Sequence, residues 1–242
     1  MDDLLQQIGT YGGFNYTIIY DSFDRARFIR GIGFTVALSL ACMLISTSGG
    51  LVLALLHYLR GRPTKALIDL FISIFRNTPP LIQIYFFFFG VGAFFAQSFD
   101  GGFVVSATTW AVISLSAFIG ALNTECFRAG IEAVPKDYIE GAKALGLRHG
   151  VIIWKIVIPL AVRAALPSLT NNLVELIKAT SYAYAIAVPE ILYVSSQIWA
   201  DEFNVIEMMS ALFLTYFLLI GGLIYLMRTL EHRLAVPGYG AI

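Results

Sequence analysis

Five long apolar stretches, separated by short charged segments, make up most of this 242-residue chain. Each has at least about the 20 residues that an α-helix needs to cross the hydrocarbon core of a bilayer. After the first stretch, for example, Arg60, Arg62 and Lys65 interrupt the apolar run. The pattern predicts an all-α integral membrane protein with five transmembrane helices, at about residues 31–59, 77–97, 107–128, 160–182 and 207–228.

The composition excludes both a soluble domain and a nucleic-acid-binding protein. Hydrophobic residues make up 58% of the chain and charged residues only 13%, too few to solvate the surface of a soluble domain of this size. The formal net charge is zero, so the positive excess typical of nucleic-acid binding is missing. The two cysteines, Cys42 and Cys126, lie in apolar stretches, which favours buried thiols over a disulfide framework.

The charges of the loops predict how the chain is oriented in the membrane. Lys and Arg follow the first, third and fifth apolar stretches, whereas the loops after the second and fourth carry only acidic charges. Positively charged loops stay in the cytoplasm. We therefore expect an extracytoplasmic tail with a short surface helix (1–27), a transmembrane domain (28–232) and a cytoplasmic tail (233–242). The acidic segment 190–207 is expected to be a helix on the outer surface.

The longest charged interruption, at about residues 132–153, is a predicted helical hairpin. Pro135 suits the first turn of a helix, and Gly146 and Gly150 favour breaks after it. The sequence therefore predicts a helix, a turn and a second helix on the cytoplasmic side of the membrane, where a hairpin can bind another protein.

Residues of this hairpin resemble the EAA loop, the signature of permease subunits of bacterial ABC importers: Glu140, Gly141, Ala142, Gly146, Ile156, Ile158 and Pro159. Four further segments resemble the polar amino-acid subfamily: FRNTPP (75–80), ECFRAGIEAVPK (125–136), IKATS (177–181) and HRLAVPGYG (232–240). The resemblance covers about residues 28–240. One departure is Gly141, which stands where the motif usually has its first Ala and costs a helix about 1 kcal/mol relative to Ala.

This resemblance implies the type I ABC importer permease fold, with the hairpin as a cytoplasmic coupling loop. It also implies a function, the ATP-driven import of polar amino acids or opines across the bacterial inner membrane. The expected partners are two ABC ATPase subunits, a second permease that is identical or paralogous, an extracytoplasmic amino-acid-binding protein and the lipid bilayer.

The resemblance also places an ATPase-coupling site at Tyr138, Glu140, Gly141, Ala142, Lys143, Leu145 and Gly146. Tyr138 and Leu145 are expected to fill a groove of the ATPase with their apolar side chains, while Glu140 and Lys143 orient the helix at its rim. A simpler interpretation is that the charged residues only solvate a connecting hairpin.

Catalytic chemistry is not expected in this chain. No GxxxxGK[ST] motif is present to cradle ATP phosphates, so ATP and Mg²⁺ are expected on the partner ATPases. The histidines, His57, His149 and His232, all lie near predicted cytoplasmic ends of spans, with no HExxH motif and no Cys/His cluster. We therefore predict no catalytic residue, metal site or cofactor here.

The fourth apolar stretch carries a polar face. Asn171, Glu175 and Lys178 are spaced so that they share one side of a helix, and charges at this depth are costly unless paired or wet. In one interpretation Glu175 and Lys178 form a structural pair. In the other, the face lines the translocation cavity, where Glu175 takes the ammonium of a zwitterion and Asn171 or Asn172 its carboxylate. The family usually has Lys-Asp-Thr-Ser where this chain has Lys-Ala-Thr-Ser at 178–181.

Glu125, near the end of the third stretch, allows two similar interpretations. It either lines a cavity or pairs with Arg128 one turn away, and we favour the pair because Glu125 lies near the cytoplasmic headgroups. Arg76, beside Pro79 and Pro80, is interpreted as an interfacial anchor rather than a substrate ligand. The candidate substrate-path residues are therefore Asn171, Asn172, Glu175, Lys178 and Glu125.

Two other classes of membrane protein fit the sequence less well. Secondary transporters often show inverted repeats, whereas five spans with one unique hairpin do not divide into halves. A membrane-anchored scaffold would not need Glu175 and Lys178 in the middle of a span.

Overall fold

The computed structural model describes residues 13–98 and 105–234, together with Gln6 and Thr10. These residues form helices joined by short turns, with no β-strand among them. The α-helices are α1 (Thr17–Tyr20), α2 (Ser22–Leu59), α3 (Arg62–Asn77), α4 (Pro80–Tyr85), α5 (Gly92–Ser98), α6 (Ala107–Glu132), α7 (Lys136–Ala144), α8 (His149–Ile152), α9 (Ile158–Ala179), α10 (Ile191–Glu202) and α11 (Val205–Leu234). A π-helical turn, Phe86–Val91, joins α4 to α5, another, Ile153–Val157, joins α8 to α9, and a 3₁₀-helix, Thr180–Ile186, follows α9.

Five continuous helical stretches are long and apolar enough to cross a membrane. They are Ser22–Leu59, Pro80–Gln97, Ala107–Glu132, His149–Ile186 and Val205–Leu234. At 1.5 Å per residue the four longer stretches exceed the hydrocarbon core of about 30 Å, and the shortest, with 18 residues, is still within the usual range of about 17–25 residues for a transmembrane helix. The predicted fold class, an all-α membrane protein with five spans, is therefore confirmed for the described residues.

The first of these helices begins earlier than the sequence predicts. α2 starts at Ser22, well ahead of the expected start at residue 31. The backbone N–H of Phe23 donates a hydrogen bond to Oδ1 of Asp21 at 2.7 Å, which satisfies one of the free N–H groups of the first turn. The charged residues that we assigned to a surface tail (1–27) are thus partly helical and continuous with the first span.

Ion pairs stabilise this charged start of α2. Arg27 lies 3.4 Å from a carboxylate oxygen of Asp24, one turn before it, and 2.9 Å from one of Asp201 at the end of α10. The described part of the expected N-terminal tail also includes residues 13–21 with the short helix α1, as well as Gln6 and Thr10, and its other residues lie outside the described ones. The predicted cytoplasmic tail (233–242) falls outside them after residue 234.

A break separates α3 from the second span. Thr78 and Pro79 are extended, with ψ of 138° and 133°, so the span begins at Pro80 and not at residue 77. Proline lacks an N–H donor and disfavours the helical conformation of the residue before it, which explains why α3 cannot continue. α3 is a separate amphipathic helix that buries Ile68 and Ile72.

The fourth span is longer than the predicted range 160–182. It is helical from His149 to Ile186, widens to π geometry at residues 153–157 and tightens to 3₁₀ geometry at residues 180–186. It ends where Ala187 takes the left-handed conformation, with φ of +58°. The second helix of the predicted hairpin is therefore the start of this span.

The chain forms two compact units. The first contains residues 1–43, 79–115 and 176–221, and the second contains residues 44–78, 116–175 and 222–242. A buried cluster of the first unit consists of Phe28, Ile191, Val194, Ile198, Met208 and Leu212. A buried cluster of the second consists of Ala54, Cys126, Phe127, Ile131, Val134, Ala142, Ile152, Val157, Ala161, Ala165 and Leu169.

Two glycines allow close helix packing in the second unit. A Cβ added to Gly50 would lie 2.7 Å from Cβ of Asn123, and one added to Gly130 would lie 2.4 Å from the carbonyl oxygen of Ala161. Any larger residue would therefore push α2 away from α6, or α6 away from α9. Small residues serve the same purpose in many membrane helix pairs.

Candidate functional site

The predicted hairpin is present, and its helix α7 is both anchored and partly exposed. Ala142 is buried in the core of the second unit, and Ile139 packs against that core. Tyr138 and Leu145, four residues before and three residues after Ala142 and hence on the same side of the helix, are 51% and 81% exposed. α7 is therefore anchored through Ala142 and Ile139 and leaves larger apolar side chains exposed beside them.

The remaining predicted coupling residues differ in exposure. Glu140, Gly141, Lys143 and Gly146 are exposed. Ala142 is only 4% exposed, so it holds the helix in place. A Cβ added to Gly141 would meet nothing within 4 Å, so packing does not explain why this chain departs from the family's Ala there.

Gly146 ends α7 in a specific way. Its φ is +74°, a conformation that favours glycine. The N–H of Leu147 donates to the carbonyl of Ala142 at 3.1 Å, and the N–H of Gly146 donates to that of Lys143 at 2.9 Å. This pair of bonds is the Schellman motif, which satisfies carbonyl groups at the end of a helix and turns the chain.

A groove runs between α7 and the start of the fourth span. Its volume is about 600 Å³. One wall is formed by α7 and the turn after it, through Asp137, Tyr138, Gly141, Ala142, Leu145 and Leu147. The other is formed by Lys155, Ile156, Pro159, Leu160 and Arg163. We call this cavity the hairpin groove; its α7 wall contains one acid, Asp137, and its fourth-span wall contains two basic residues, Lys155 and Arg163.

The polar residues of the fourth span differ in burial. Asn171 and Lys178 are exposed, whereas Asn172 and Glu175 are half-buried. Nδ2 of Asn172 donates a hydrogen bond to Oδ1 of Asn123 at 3.0 Å. Asn172 thus has a structural partner within the second unit.

Asn123 itself was missed by sequence reasoning. It is fully buried on α6, and its Nδ2 donates to Oγ of Ser46 on α2 at 3.4 Å. Asn123 therefore links α2, α6 and α9 by hydrogen bonds inside an apolar core. The signal that was available is the presence of an asparagine in the middle of an apolar stretch, where a polar side chain needs a partner.

The structure joins Glu125 to a larger set of charges. Glu125 accepts a hydrogen bond from Arg128 at 3.3 Å, as expected, and also pairs with Arg76. Asp69 lies 3.2 Å from Nε2 of His57 and 3.6 Å from a guanidinium nitrogen of Arg128. We call these five residues the ionic cluster. Arg76, interpreted as an interfacial anchor, thus binds a carboxylate of α6.

A polar cavity of about 340 Å³ opens beside the ionic cluster. Its lining residues come from the last three turns of α3 and from α6, and they are Asp69, Ile72, Ser73, Arg76, Asn77 and Glu125. Sequence reasoning did not find this cavity, because α3 and Glu125 are far apart in the chain.

The expectation that Glu190 lies on the outer surface is wrong. Its side chain is fully buried at the start of α10, where it accepts hydrogen bonds from the N–H groups of Leu192 at 2.9 Å and Tyr193 at 2.8 Å. The hydroxyl of Tyr216 donates to it at 3.3 Å. Burial raises the pKa of the Glu190 carboxyl from 4.5 to about 7, although these three hydrogen bonds lower it. Glu190 therefore caps α10 from inside the core of the first unit.

Comparison with known proteins shows what the chain is similar to. Residues 46–236 match the family described as binding-protein-dependent transport system inner membrane component. The chain is 33% identical over 195 residues to a probable amino-acid ABC transporter permease protein of Bacillus subtilis, which covers 81% of this chain and 82% of that protein. It is 27% identical over 214 residues to an arginine ABC transporter permease protein of Haemophilus influenzae, with 85% and 91% covered.

A solved structure agrees with these sequence relatives. The crystal structure of an amino acid ABC transporter with histidines matches with a TM-score of 0.77 at 26% sequence identity. The match covers 86% of this chain and 94% of the chain in that structure. The similarity thus extends over most of the described helices.

Proposed function

The chain belongs to the family of binding-protein-dependent transport system inner membrane components, and we propose that it is the membrane-spanning subunit of an ATP-driven importer of polar amino acids. The resemblance seen in the hairpin and its flanking segments is thereby confirmed at the level of the family. The protein is a multi-pass protein of the inner membrane. Members of this family work with ATPase subunits and with a substrate-binding protein.

The observation that carries this proposal is the exposed apolar surface of the anchored helix α7. Leu145 and Tyr138 expose apolar surface on a polar hairpin, and burying it against a partner is favourable by roughly 25 cal/mol per Å². Ala142 and Ile139 fix α7 to the core that contains the start of the fourth span. A partner that binds the exposed side chains and moves will therefore move the packed helices with it. ATPase subunits fit this role, with Glu140 and Lys143 at the rim.

We further propose that the hairpin faces the cytoplasm and that α10 faces outside. The basic loops after the first, third and fifth spans support this orientation. It places the N-terminus outside and the C-terminus in the cytoplasm. A second copy of this chain, or a paralogous permease, completes the membrane part of the transporter, with two ATPases below and the binding protein above.

One labelling experiment tests both the docking face and the orientation. In a background with Cys42→Ala and Cys126→Ala, a single cysteine replaces Leu145 and is treated with a membrane-impermeant maleimide. We expect no labelling in spheroplasts, labelling in inverted vesicles stripped of ATPase subunits, and protection when the ATPase subunits are added back. Protection follows because the docked subunit covers the exposed side chain.

Phe203 provides a matched control, because it is also apolar and is 91% exposed, at the end of α10. Phe203→Cys should be labelled in spheroplasts and should not respond to the ATPase subunits. Labelling of both positions from the same side would contradict the orientation. Equal labelling of position 145 with and without ATPase subunits would remove α7 from the docking surface.

The proposed cargo, a polar amino acid, is supported by the relatives, one described as an arginine permease and another as a probable amino-acid permease. The proposed path includes Asn171, Asn172, Glu175 and Lys178 on the fourth span and Glu125 on α6. Asn171, Glu175 and Lys178 share one face of the helix and are not fully buried, as residues along a wet path must be.

Uptake into proteoliposomes tests this cargo. The chain is reconstituted with its ATPase and binding protein, and uptake of radiolabelled L-arginine, L-histidine, L-glutamine and L-glutamate is measured. We expect ATP-dependent uptake of at least one of them, and altered uptake or preference in Glu175→Gln at normal expression. Uptake driven by an ion gradient without ATP would contradict the proposal. An unchanged profile in well-expressed Glu175→Gln would remove Glu175 from the path.

A further inference from the structure

We propose that Arg76 and Glu125 form a binding subsite for the zwitterionic backbone of an α-amino acid, with Arg76 taking the carboxylate and Glu125 the ammonium. This inference rests on the proposed function, since it assumes that the cargo is an amino acid. It assigns a binding role to an arginine that the sequence suggested was only an anchor.

The chemistry of the cavity matches both ends of a zwitterion. Of the six residues that line it, Arg76 offers a planar guanidinium that can bind a carboxylate through two parallel hydrogen bonds. Glu125 offers a carboxylate for an ammonium group, and Ser73 and Asn77 add neutral hydrogen-bonding groups. The volume of about 340 Å³ is in the range of small-ligand pockets.

The charges around the cavity allow a zwitterionic ligand to replace the contact between Arg76 and Glu125. Asp69, the other acid of the cavity, is held by His57 and by Arg128, which also contacts Glu125. Asp69 and Glu125 carry two formal negative charges, and Arg76 and Arg128 carry two positive ones, so these four side chains balance. A ligand with one positive and one negative group can therefore replace the Arg76–Glu125 contact without adding net charge.

The pair is also accessible to a ligand. The side chains of Arg76 and Glu125 are 54% and 28% exposed, so neither must first be removed from a packed core. Exposed ion pairs contribute at most about 1 kcal/mol, so separating this one is a small cost to binding.

The broken helix supplies a second, independent argument. α3 ends at Asn77 because Thr78 and Pro79 are extended, and the cavity lies at this end. The last carbonyl groups of a helix carry a partial negative charge, which favours the guanidinium of Arg76 at this end of α3. Transport proteins commonly bind substrates and ions at the ends of interrupted helices.

The experiment measures which end of the ligand each residue recognises. The full chain with its ATPase subunits is placed in nanodiscs, without binding protein, and bound radiolabelled amino acid is displaced by competitors. The probe is whichever of L-arginine, L-histidine, L-glutamine and L-glutamate the wild type takes up best. The competitors are the same amino acid, its α-amide, which lacks the carboxylate charge, and its Nα-acetyl form, which lacks the ammonium.

In the wild type, both modified competitors should bind at least about tenfold more weakly than the unmodified amino acid, the loss expected for a charge-assisted contact. Arg76→Met should lose discrimination against the α-amide but keep it against the Nα-acetyl form. Glu125→Gln should do the reverse. Arg76→Lys should lose discrimination in part, because lysine keeps the charge but not the two-point contact. Arg62→Met, an exposed arginine at the start of α3, is the matched control and should behave as wild type.

A charge-swapped double variant, Arg76→Glu with Glu125→Arg, separates binding from a structural pair. A purely structural pair would be restored by the swap, and wild-type discrimination and uptake would return, which would overturn the proposal. Discrimination that survives in Arg76→Met and Glu125→Gln, beside normal wild-type uptake, would also overturn it while leaving the proposed function intact. Absence of amino-acid uptake by the wild type would overturn both.

Discussion

Two carboxylate sites, one in each compact unit, are held in opposite ways. In the first unit, Glu190 is fully buried and held by two backbone N–H groups and a tyrosine hydroxyl. In the second, Asp69 and Glu125 are partly exposed and are held by the charged side chains of the ionic cluster. One carboxyl is stabilised by neutral donors inside a core, and the others by opposite charges at a surface.

This difference decides how each group affects stability. A buried carboxyl without a nearby cation loses the solvation of its charge, so the neutral form gains and its pKa rises. A partly exposed ion pair contributes little to stability. The stability of the first unit should therefore depend on pH through Glu190, and that of the second should depend weakly on each ion pair.

The largest effect expected from this comparison is a pH dependence that Glu190 causes. The pKa of Glu190 is raised to about 7 in the folded state from 4.5. Between these values the folded protein holds a proton that the unfolded chain has released. The free energy of unfolding should therefore fall as pH rises from 4.5 to about 7. Above this range it should be about 3 kcal/mol lower than below it. Unfolding of the detergent-solubilised chain across this range measures the effect.

Glu190→Gln isolates the contribution of this one group. Glutamine keeps an oxygen that can accept from Leu192 or Tyr193 but does not titrate, so the fall in stability should largely disappear. Glu202→Gln, an exposed acid at the other end of α10, is the matched control and should retain the wild-type dependence. If Glu190→Gln has the same pH dependence of the free energy of unfolding as the wild type, Glu190 does not change its protonation state in this pH range.

A much smaller effect is expected from the ionic cluster. Asp69 and Arg128 lie 3.6 Å apart with 52% and 34% of their side chains exposed. A double-mutant cycle with Asp69→Asn and Arg128→Met should give a coupling free energy of at most about 0.5 kcal/mol, decreasing at high salt. The measurement is the free energy of unfolding of the four proteins under one set of conditions. A coupling of several kcal/mol would show that the cluster is shielded from water as Glu190 is, and would remove the contrast.

The features that the sequence predicted well are those that depend on neighbouring residues. The five apolar stretches are long enough to identify the spans, and Pro135 marks the start of the first helix of the hairpin. Gly146 and Pro80 mark the end of one helix and the start of another, because their backbone preferences act locally.

Features that depend on distant residues were not predictable in this way. Glu190 follows a proline and precedes an acidic segment, which is typical of a surface loop. Its burial depends on partners such as Tyr216, which approach only in the folded chain. Likewise, Arg76 and Glu125 are 49 residues apart, and no periodicity connects them. The helix boundaries at residues 22 and 186 were missed because they lie beyond the apolar stretches from which the spans were predicted. A helix can continue through charged or mixed residues where capping and ion pairs stabilise it.

The π-helical turn at Ile153–Val157 lies between the hairpin and the long helix α9. An α-helix advances by about 100° of rotation with each residue, so the number of residues in this turn sets the direction in which the hairpin faces around the axis of the fourth span. A π turn has wider spacing than an α turn. Gain or loss of one residue here would swing Leu145 and Tyr138 around that axis while the sequence of α9 stayed the same. In evolution, this short segment is thus a place where the angle of the hairpin helix can change in one genetic step.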